Sequence, residues 1–319
     1  MIAAKEMKQK KLSLVVPVYF EEECILQFIK ETEAVLNTLQ MEFEIVFVDD
    51  GSTDKTVELI KHAAESRPFI KLIELSYNHG KQAAVTAGIT YATGDYLIAM
   101  DPDLQDPPEE IPRFIEEIEK GYDLVFGIRK EKVDGLLNKL FSKMFWSLLA
   151  RFSGLKIPKG ISSMRIFNRK FANKFLEYPE QNRFVEGLFM HIGMKRSEIV
   201  IAQRDRFAGV SKFNFKRKMS LAFNVIFDFS EIPLRMAVKL GFFLFFFGLL
   251  FLAGIFIAKL FFINFQLGWP SLIGAIVLGA GLQLFFIGIA AIYIGRIYKE
   301  TKRRPLFSVK EFTNVSEDK

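Results

Sequence analysis

The chain has 319 residues, half of them apolar, with a mean hydropathy of +0.19, a formal net charge of +6 and a pI of about 9.1. That length holds one large domain or two ordinary ones. A basic balance suits nucleic acid, anionic lipid or phosphorylated substrates, but nothing resembles a helix-turn-helix, an RNA-recognition motif or a zinc finger, which argues against nucleic acid; the single cysteine, Cys24, excludes an internal disulfide and a cysteine-rich metal site.

The opening MIAAKEMKQKK is polar and lacks the apolar segment of a secretory signal, which predicts that the first domain stays on the cytoplasmic side. Strand-length apolar runs then alternate with helix-period segments. LSLVVPV, FEIVFVDD, FIKLIELS, DYLIAMD and YDLVFGIR read as five strands. EECILQFIKETEAVLNTL, DKTVELIKHAAESR, GKQAAVTAGITYA and PEEIPRFIEEIEKG read as the helices between them, with Cys24 a core residue of the first. Alternation of this kind predicts a doubly wound, mostly parallel α/β sheet. Ligands of such sheets bind beyond the carboxyl ends of the strands.

Further on, DGLLNKLFSKMFWSLLARFS (134–153) is a basic amphipathic stretch that lies on a membrane or packs on the core. KFNFKRKMSLAFNVIFDFSEIPLRMAVKL (212–240) is a second such stretch, read as lying on the membrane surface. No charge appears from Leu240 to Ala258 or from Ser271 to Gly295, each long enough to span about 30 Å of hydrocarbon. The two spans form a hairpin, with NFQLGWP as the turn. Arg235 and Lys239 flank one end, and Arg296, Lys299, Lys302, Arg303 and Arg304 the other, so both ends are assigned to the same, cytoplasmic side. The predicted division is a catalytic domain over 1–212, juxtamembrane helices over 213–236, two transmembrane helices over 237–296 and a basic tail over 297–319.

The acidic run DPDLQDPPEE follows the fourth strand. Turn and helix-start preferences account for Asp106, Pro107, Pro108 and Glu109. They do not account for Asp101 and Asp103. Two residues apart in extended chain, these carboxylates point the same way and repel unless a cation lies between them. Hard oxygen ligands suit Mg²⁺ or Mn²⁺, which also take substrate phosphates. At the neighbouring strand ends, Asp50 is placed to accept hydrogen bonds from a base or ribose. Pro17, Tyr19 and Glu21 lie at the same edge, where a tyrosine flanks a flat base and a carboxylate reads its N–H groups. Lys81, after Gly80, reaches a phosphate or stands solvated, and His79 reads as a polar loop residue.

Taken together, LSLVVPVYFEEE, VDDGSTDKT, YNHGKQAA, DPDLQDPPEEIP and GIR resemble the GT-A glycosyltransferases of family 2, and more narrowly the polyprenyl-phosphate glycosyltransferases. The hairpin followed by YIGRIYKETKRRPLFSV is similar to the bacterial, bactoprenol-glucosylating subgroup. The resemblance covers essentially the whole chain. It implies that Pro17, Tyr19, Glu21, Val48 and Asp50 line the nucleotide pocket, and that Asp101, Asp103 and Gln105 hold the metal with the donor diphosphate. Arg129 would meet a phosphate of donor or acceptor. Arg206 and Lys212, in RFAGVSKFNF, would touch the donor diphosphate or the lipid phosphate. It also implies a nucleotide-sugar donor (UDP-glucose), an undecaprenyl-phosphate acceptor, inversion, a multi-pass place in a bacterial plasma membrane, and a homo-oligomer, a tetramer by analogy.

One departure stands out: GISSMRIFNR carries Ser163 where family members often have an aspartate. A lipid phosphate does not require that base, because its second pKa is about 6 and it is largely dianionic near neutral pH; a sugar hydroxyl would. Two rivals are a processive polysaccharide synthase and a non-catalytic membrane scaffold. The first lacks its Q-x-x-R-W motif here and has too few spans for a polymer channel. The second is disfavoured by the intact acidic run, though Ser163 keeps it open.

Overall fold

The computed structural model describes residues 10–129, 160–181, 183, 185–205, 232–261 and 268–315. The predicted alternation is present as β1 (Lys11–Val18), α1 (Ile25–Leu36), β2 (Glu42–Asp49), α2 (Thr56–Glu65), β3 (Ile70–Leu75), α3 (Lys81–Tyr91), β4 (Tyr96–Ala99), α4 (Ile111–Ile118) and β5 (Leu124–Arg129). Further elements follow that the alternation did not announce: β6 (Ile161–Asn168), α5 (Arg169–Leu176), α6 (Val185–His191) and β7 (Arg196–Ile201). Two long helices, α7 (Ile232–Phe261) and α8 (Trp269–Thr301), precede a last strand, β8 (Val309–Thr313).

All these strands join one sheet in the order β7-β5-β6-β4-β1-β2-β3-β8. The sheet is mixed: β1–β2, β1–β4, β2–β3 and β5–β7 are parallel, whereas β3–β8, β4–β6 and β5–β6 are antiparallel. The fifth predicted strand therefore does not lie beside the fourth. β6 separates them, running against both, and its alternating residues serve both faces: Met164 and Ile166 enter one core layer and Phe167 the other.

The period-two pattern of β1 sets up two layers. Leu14, Val16 and Val18 pack with Phe28 of α1, Ile60 of α2 and Phe114 of α4. Val15 packs on the opposite face with Ala84 and Ala87 of α3, Phe171 of α5 and Phe189 of α6. Helix α3 lies close because Gly88 has no side chain: a Cβ there would stand 2.3 Å from a Val15 methyl.

The tail, expected to be a separate basic segment, returns to the sheet. Val309–Thr313 pairs antiparallel with β3, and Phe307 and Phe312 pack against Tyr91 of α3. The two long helices form a second compact unit. Their large apolar side chains, among them Phe242, Phe246, Phe251, Ile276 and Phe285, are exposed. Among the described residues, Ala275–Thr301 is long and apolar enough to cross a membrane. The predicted amphipathic stretch 134–153, Arg206 and Lys212 lie outside the described residues.

Candidate active site

The carboxyl ends of β1, β2, β3, β4 and β5 share one edge because these strands run parallel or reach it through β6. β6 enters from that same edge. Its pairing with β4 matches Ala99 to Arg165, so continuing the ladder two residues brings Ser163 beside Asp101. This antiparallel register places β6 polar groups against the acidic run.

Three of the run's carboxylates have different surroundings. Asp101 is partly exposed, and the Lys81 ammonium lies 2.6 Å from each of its oxygens. Burial pushes this carboxyl up, but Lys81, Arg165 and the Ser163 hydroxyl outweigh it and hold Asp101 below the usual carboxylate range. Asp103 is buried, and its Oδ1 accepts the Gln105 N–H at 3.1 Å. Asp106 is buried deeper. Its two oxygens accept Nε and Nη2 of Arg129, both at 3.0 Å, and Oδ2 also accepts the hydroxyls of Ser162 and of Ser163, the latter at 2.8 Å.

The loop is bent by a residue that resists it. Leu104 has φ +58° and is buried in the core, an arrangement that costs an L-residue about 1–2 kcal/mol. Phe20, at the end of β1 on the same edge, has φ +53°. Two non-glycine residues held in the left-handed region at one sheet edge fit a shaped functional site. From the other side, the Arg204 N–H donates to the Gln105 carbonyl at 3.0 Å, while its guanidinium bridges Glu31 and Glu109, at 2.7 Å each.

The predicted nucleotide-pocket residues separate into groups. Tyr19 is half-buried beside Phe20, with ring centroids 4.3 Å apart. Pro17 is buried; its missing N–H costs nothing, since the β1–β4 pairing ends at Val15. Val48 is fully buried against α3, so a pocket-lining role for its side chain is corrected to core packing, which the unbroken apolar run of β2 explains. Asp50 is buried and accepts the N–H groups of His79 at 2.7 Å and Gly80 at 2.9 Å. It therefore fixes the loop that carries Lys81. Burial pushes Asp50 up, against the pull of those two N–H groups. Glu21 accepts the Cys24 thiol at 3.2 Å.

Lys81 is thus not simply solvated; it sits on Asp101. Arg129, expected to meet a phosphate, is held by Asp106. Behind Asp101, Arg165 donates to Glu186 at 3.1 Å and to the Ser163 carbonyl at 3.1 Å. Its third nitrogen, Nη1, is buried with no partner. Glu186, Ser162 and Arg204 stand at the site without any mark in the sequence, whereas Arg165 and Arg169 are the arginines that GISSMRIFNR retains from the family-like stretch. An arginine in the middle of the apolar strand pattern SSMRIF marks Arg165 independently of that resemblance.

Among the described residues, no three His, Cys, Asp or Glu side chains converge as a metal cage. Asp101 and Asp103, with the Gln105 amide, offer a partial set of hard oxygen donors. That fits a Mg²⁺-like ion, which takes one or two carboxylates and completes its shell with phosphate oxygens and water.

An open α/β sheet with carboxylates and cations gathered at its carboxyl edge defines a ligand-binding domain. Residues 13–176 match the glycosyl transferase family 2, and the chain belongs to that family: it is a glycosyltransferase. Over 301 residues it is 37% identical to a bactoprenol glucosyl transferase of Shigella phage SfX, covering 94% of this chain and 99% of that one. Over 303 residues it is 35% identical to an uncharacterized glycosyltransferase of Synechocystis sp., covering 94% and 95%. Among solved structures, glucosyl-3-phosphoglycerate synthase from Mycobacterium tuberculosis, in complex with Mn²⁺, UDP-glucose and phosphoglyceric acid, covers 70% of this chain and 79% of its own, with a TM-score of 0.48 and 17% identity.

Proposed function

We propose that this glycosyltransferase moves glucose from UDP-glucose to undecaprenyl phosphate, with inversion, at the cytoplasmic face of a bacterial plasma membrane, and that it uses Mg²⁺ or Mn²⁺. One observation supports this reading furthest. The likeness to the phage bactoprenol glucosyl transferase runs along 94% of this chain and 99% of the relative, so it includes the apolar helices as well as the sheet. A soluble acceptor would not call for those helices. The two-helix hairpin, the juxtamembrane stretch and a homo-oligomer belong to the same reading.

In this reaction an oxygen of the lipid phosphate attacks the anomeric carbon. The new C–O bond forms as the bond to the donor diphosphate breaks on the opposite face. No base is needed, since the attacking phosphate is already anionic. Rate comes from holding the oxygen in line and from positive charge around the departing diphosphate. Asp101, Asp103 and Gln105 are the residues assigned to the metal, which when bound neutralises part of that diphosphate charge. Lys81, Arg206 and Lys212 are assigned to phosphates. Tyr19 is assigned to the base, with Pro17, Glu21 and Asp50 at the same edge of the pocket and Val48 in the core beneath it. Arg129 is a positioning residue that acts through Asp106.

The test is a panel of sugar nucleotides assayed against undecaprenyl phosphate, following labelled sugar into organic-extractable lipid with and without chelator. UDP-glucose should label the lipid, and chelator should stop it. Asp103→Ala should abolish transfer with an unchanged thermal transition. Full activity in that variant, or no lipid labelled from any donor, overturns the reading.

A further inference from the structure

We propose that Lys81 competes with the metal for Asp101: its ammonium holds the open side of that carboxylate and has to leave it when a divalent cation and a diphosphate bind. The proposal rests on the reading of Asp101 as a metal ligand.

The geometry is specific. Lys81 Nζ is 2.6 Å from Oδ1 and 2.6 Å from Oδ2, so it straddles the carboxylate on its open side. A hard divalent ion binds carboxylate oxygens at about 2.1 Å and needs that same side. An ammonium and a divalent ion held that close repel, so the two compete for it. The rest of the carboxylate's surroundings are fixed: Ser163 and Arg165 lie against it from β6, and Arg165 is itself buried and locked to Glu186. Lys81 is the removable partner. Its side chain is half exposed, and its compact charge sits on a flexible four-carbon stem. Its backbone does not need to move, because Asp50 anchors the preceding His79 and Gly80 N–H groups.

The released ammonium has a destination. Lys81 is the first residue of α3, an eleven-residue helix whose free N–H groups favour an anion. A diphosphate that arrives with its metal meets the metal on Asp101 and the lysine beside the helix terminus. One side chain thereby serves two states. It neutralises Asp101 where no cation binds there, and the diphosphate where one does. Metal and nucleotide should then bind cooperatively, because each favours the same lysine position.

The experiment measures Mn²⁺ binding to the detergent-solubilised full chain, by the electron paramagnetic resonance signal of free Mn²⁺, without and with UDP. In the wild type, UDP should tighten Mn²⁺ binding strongly. Lys81→Gln should bind Mn²⁺ alone about fivefold more tightly than the wild type, the effect of removing an exposed ion pair. It should also bind UDP more weakly in the presence of Mn²⁺, so that the cooperativity shrinks. Lys81→Met should behave like Lys81→Gln, and Lys81→Arg like the wild type. Unchanged or weaker binding of Mn²⁺ alone in both uncharged variants, with wild-type binding intact, overturns this proposal while leaving the metal-dependent reading standing. Absence of Mn²⁺ binding in every protein, with and without UDP, overturns both.

Discussion

Asp106 accepts hydrogen bonds from Arg129, Ser162 and Ser163, which ties the acidic loop to β5 and β6 through one buried carboxylate. Removing Arg129 would leave that carboxylate buried and short of its cation. Arg129→Ala is therefore expected to cost about 3 kcal/mol of stability, and Asp106→Asn in the same chain should recover part of it, as a double-mutant cycle on thermal unfolding would show. A residue that only touched a phosphate would leave the thermal transition in place and change KM alone. Glu44 makes the opposite point at the far end of the strands, away from the site. It is buried and accepts Lys11 at 2.8 Å, Lys71 at 2.7 Å, Ser13 at 2.6 Å and the Thr93 N–H at 2.7 Å. Burial pushes its carboxyl up, but these partners outweigh burial and bring it down to about 2. In the unfolded chain a glutamate titrates at about 4.3. The depressed value means that its contribution is complete above that pH and is lost as pH falls toward 2. Glu44→Ala should lower stability by about 3 kcal/mol at neutral pH. The gap from the wild type should narrow when unfolding is followed between about pH 5 and pH 2. The strand-end rule made Asp101 and Asp103 legible in the sequence. It could not show that Lys81 sits on one of them, because that pairing depends on how closely α3 packs over β1 and β2.

Elements differ in legibility for a physical reason. The first five strands each begin or end against a helix-period segment, so their order reads directly from hydrophobic period. β6 carries Ser162, Ser163 and Arg165 among its apolar residues and follows the stretch 130–159; period alone does not mark it. β8 reads VKEFT, two charged residues among five, and its burial pattern is that of an edge. Only pairing with β3 makes it a strand. That pairing has consequences for the site. The Ser76 N–H donates to the Ser308 carbonyl at 2.9 Å, and the Ser308 N–H approaches His79 Nε2 at 3.4 Å. The tail thus braces the loop whose N–H groups bind Asp50 and whose end carries Lys81. Ending the chain after Lys302 would uncover the β3 edge and strip Phe307 and Phe312 from Tyr91. The truncated protein should unfold at a lower temperature and show a raised KM for the sugar nucleotide, with a smaller change in KM for the lipid. Equal KM values for the donor in the two forms would mean that the tail covers an edge and nothing more.

At the scale of the whole molecule, charge is divided as sharply as hydrophobicity. Lys and Arg return at Arg235 and Lys239 and again from Arg296 to Arg304, on either side of two stretches that hold no charge apart from the connection between them. If both helices cross a bilayer, the connection that contains Gln266 must lie on the opposite side from Lys302 and from the sheet domain. If only Ala275–Thr301 crosses, Lys239 and Gln266 stay on the side of the sheet domain and Lys302 faces the other, where β8 could not pair with β3. Labelling can separate these arrangements, because the chain has one native cysteine and it is a poor target. Cys24 is buried, and burial together with the Glu21 carboxylate pushes its thiol up, so it stays protonated and unreactive at neutral pH. Single cysteines placed at Lys61, Lys239, Gln266 and Lys302 would each be the one reactive thiol. In inverted membrane vesicles, whose cytoplasmic face is outward, an impermeant maleimide should label Lys61→Cys, Lys239→Cys and Lys302→Cys and spare Gln266→Cys until detergent is added. Labelling of Gln266→Cys together with Lys302→Cys would place the connection on the active-site side and defeat the hairpin. Labelling of Lys61→Cys, Lys239→Cys and Gln266→Cys with protection of Lys302→Cys would leave a single crossing helix and part β8 from β3.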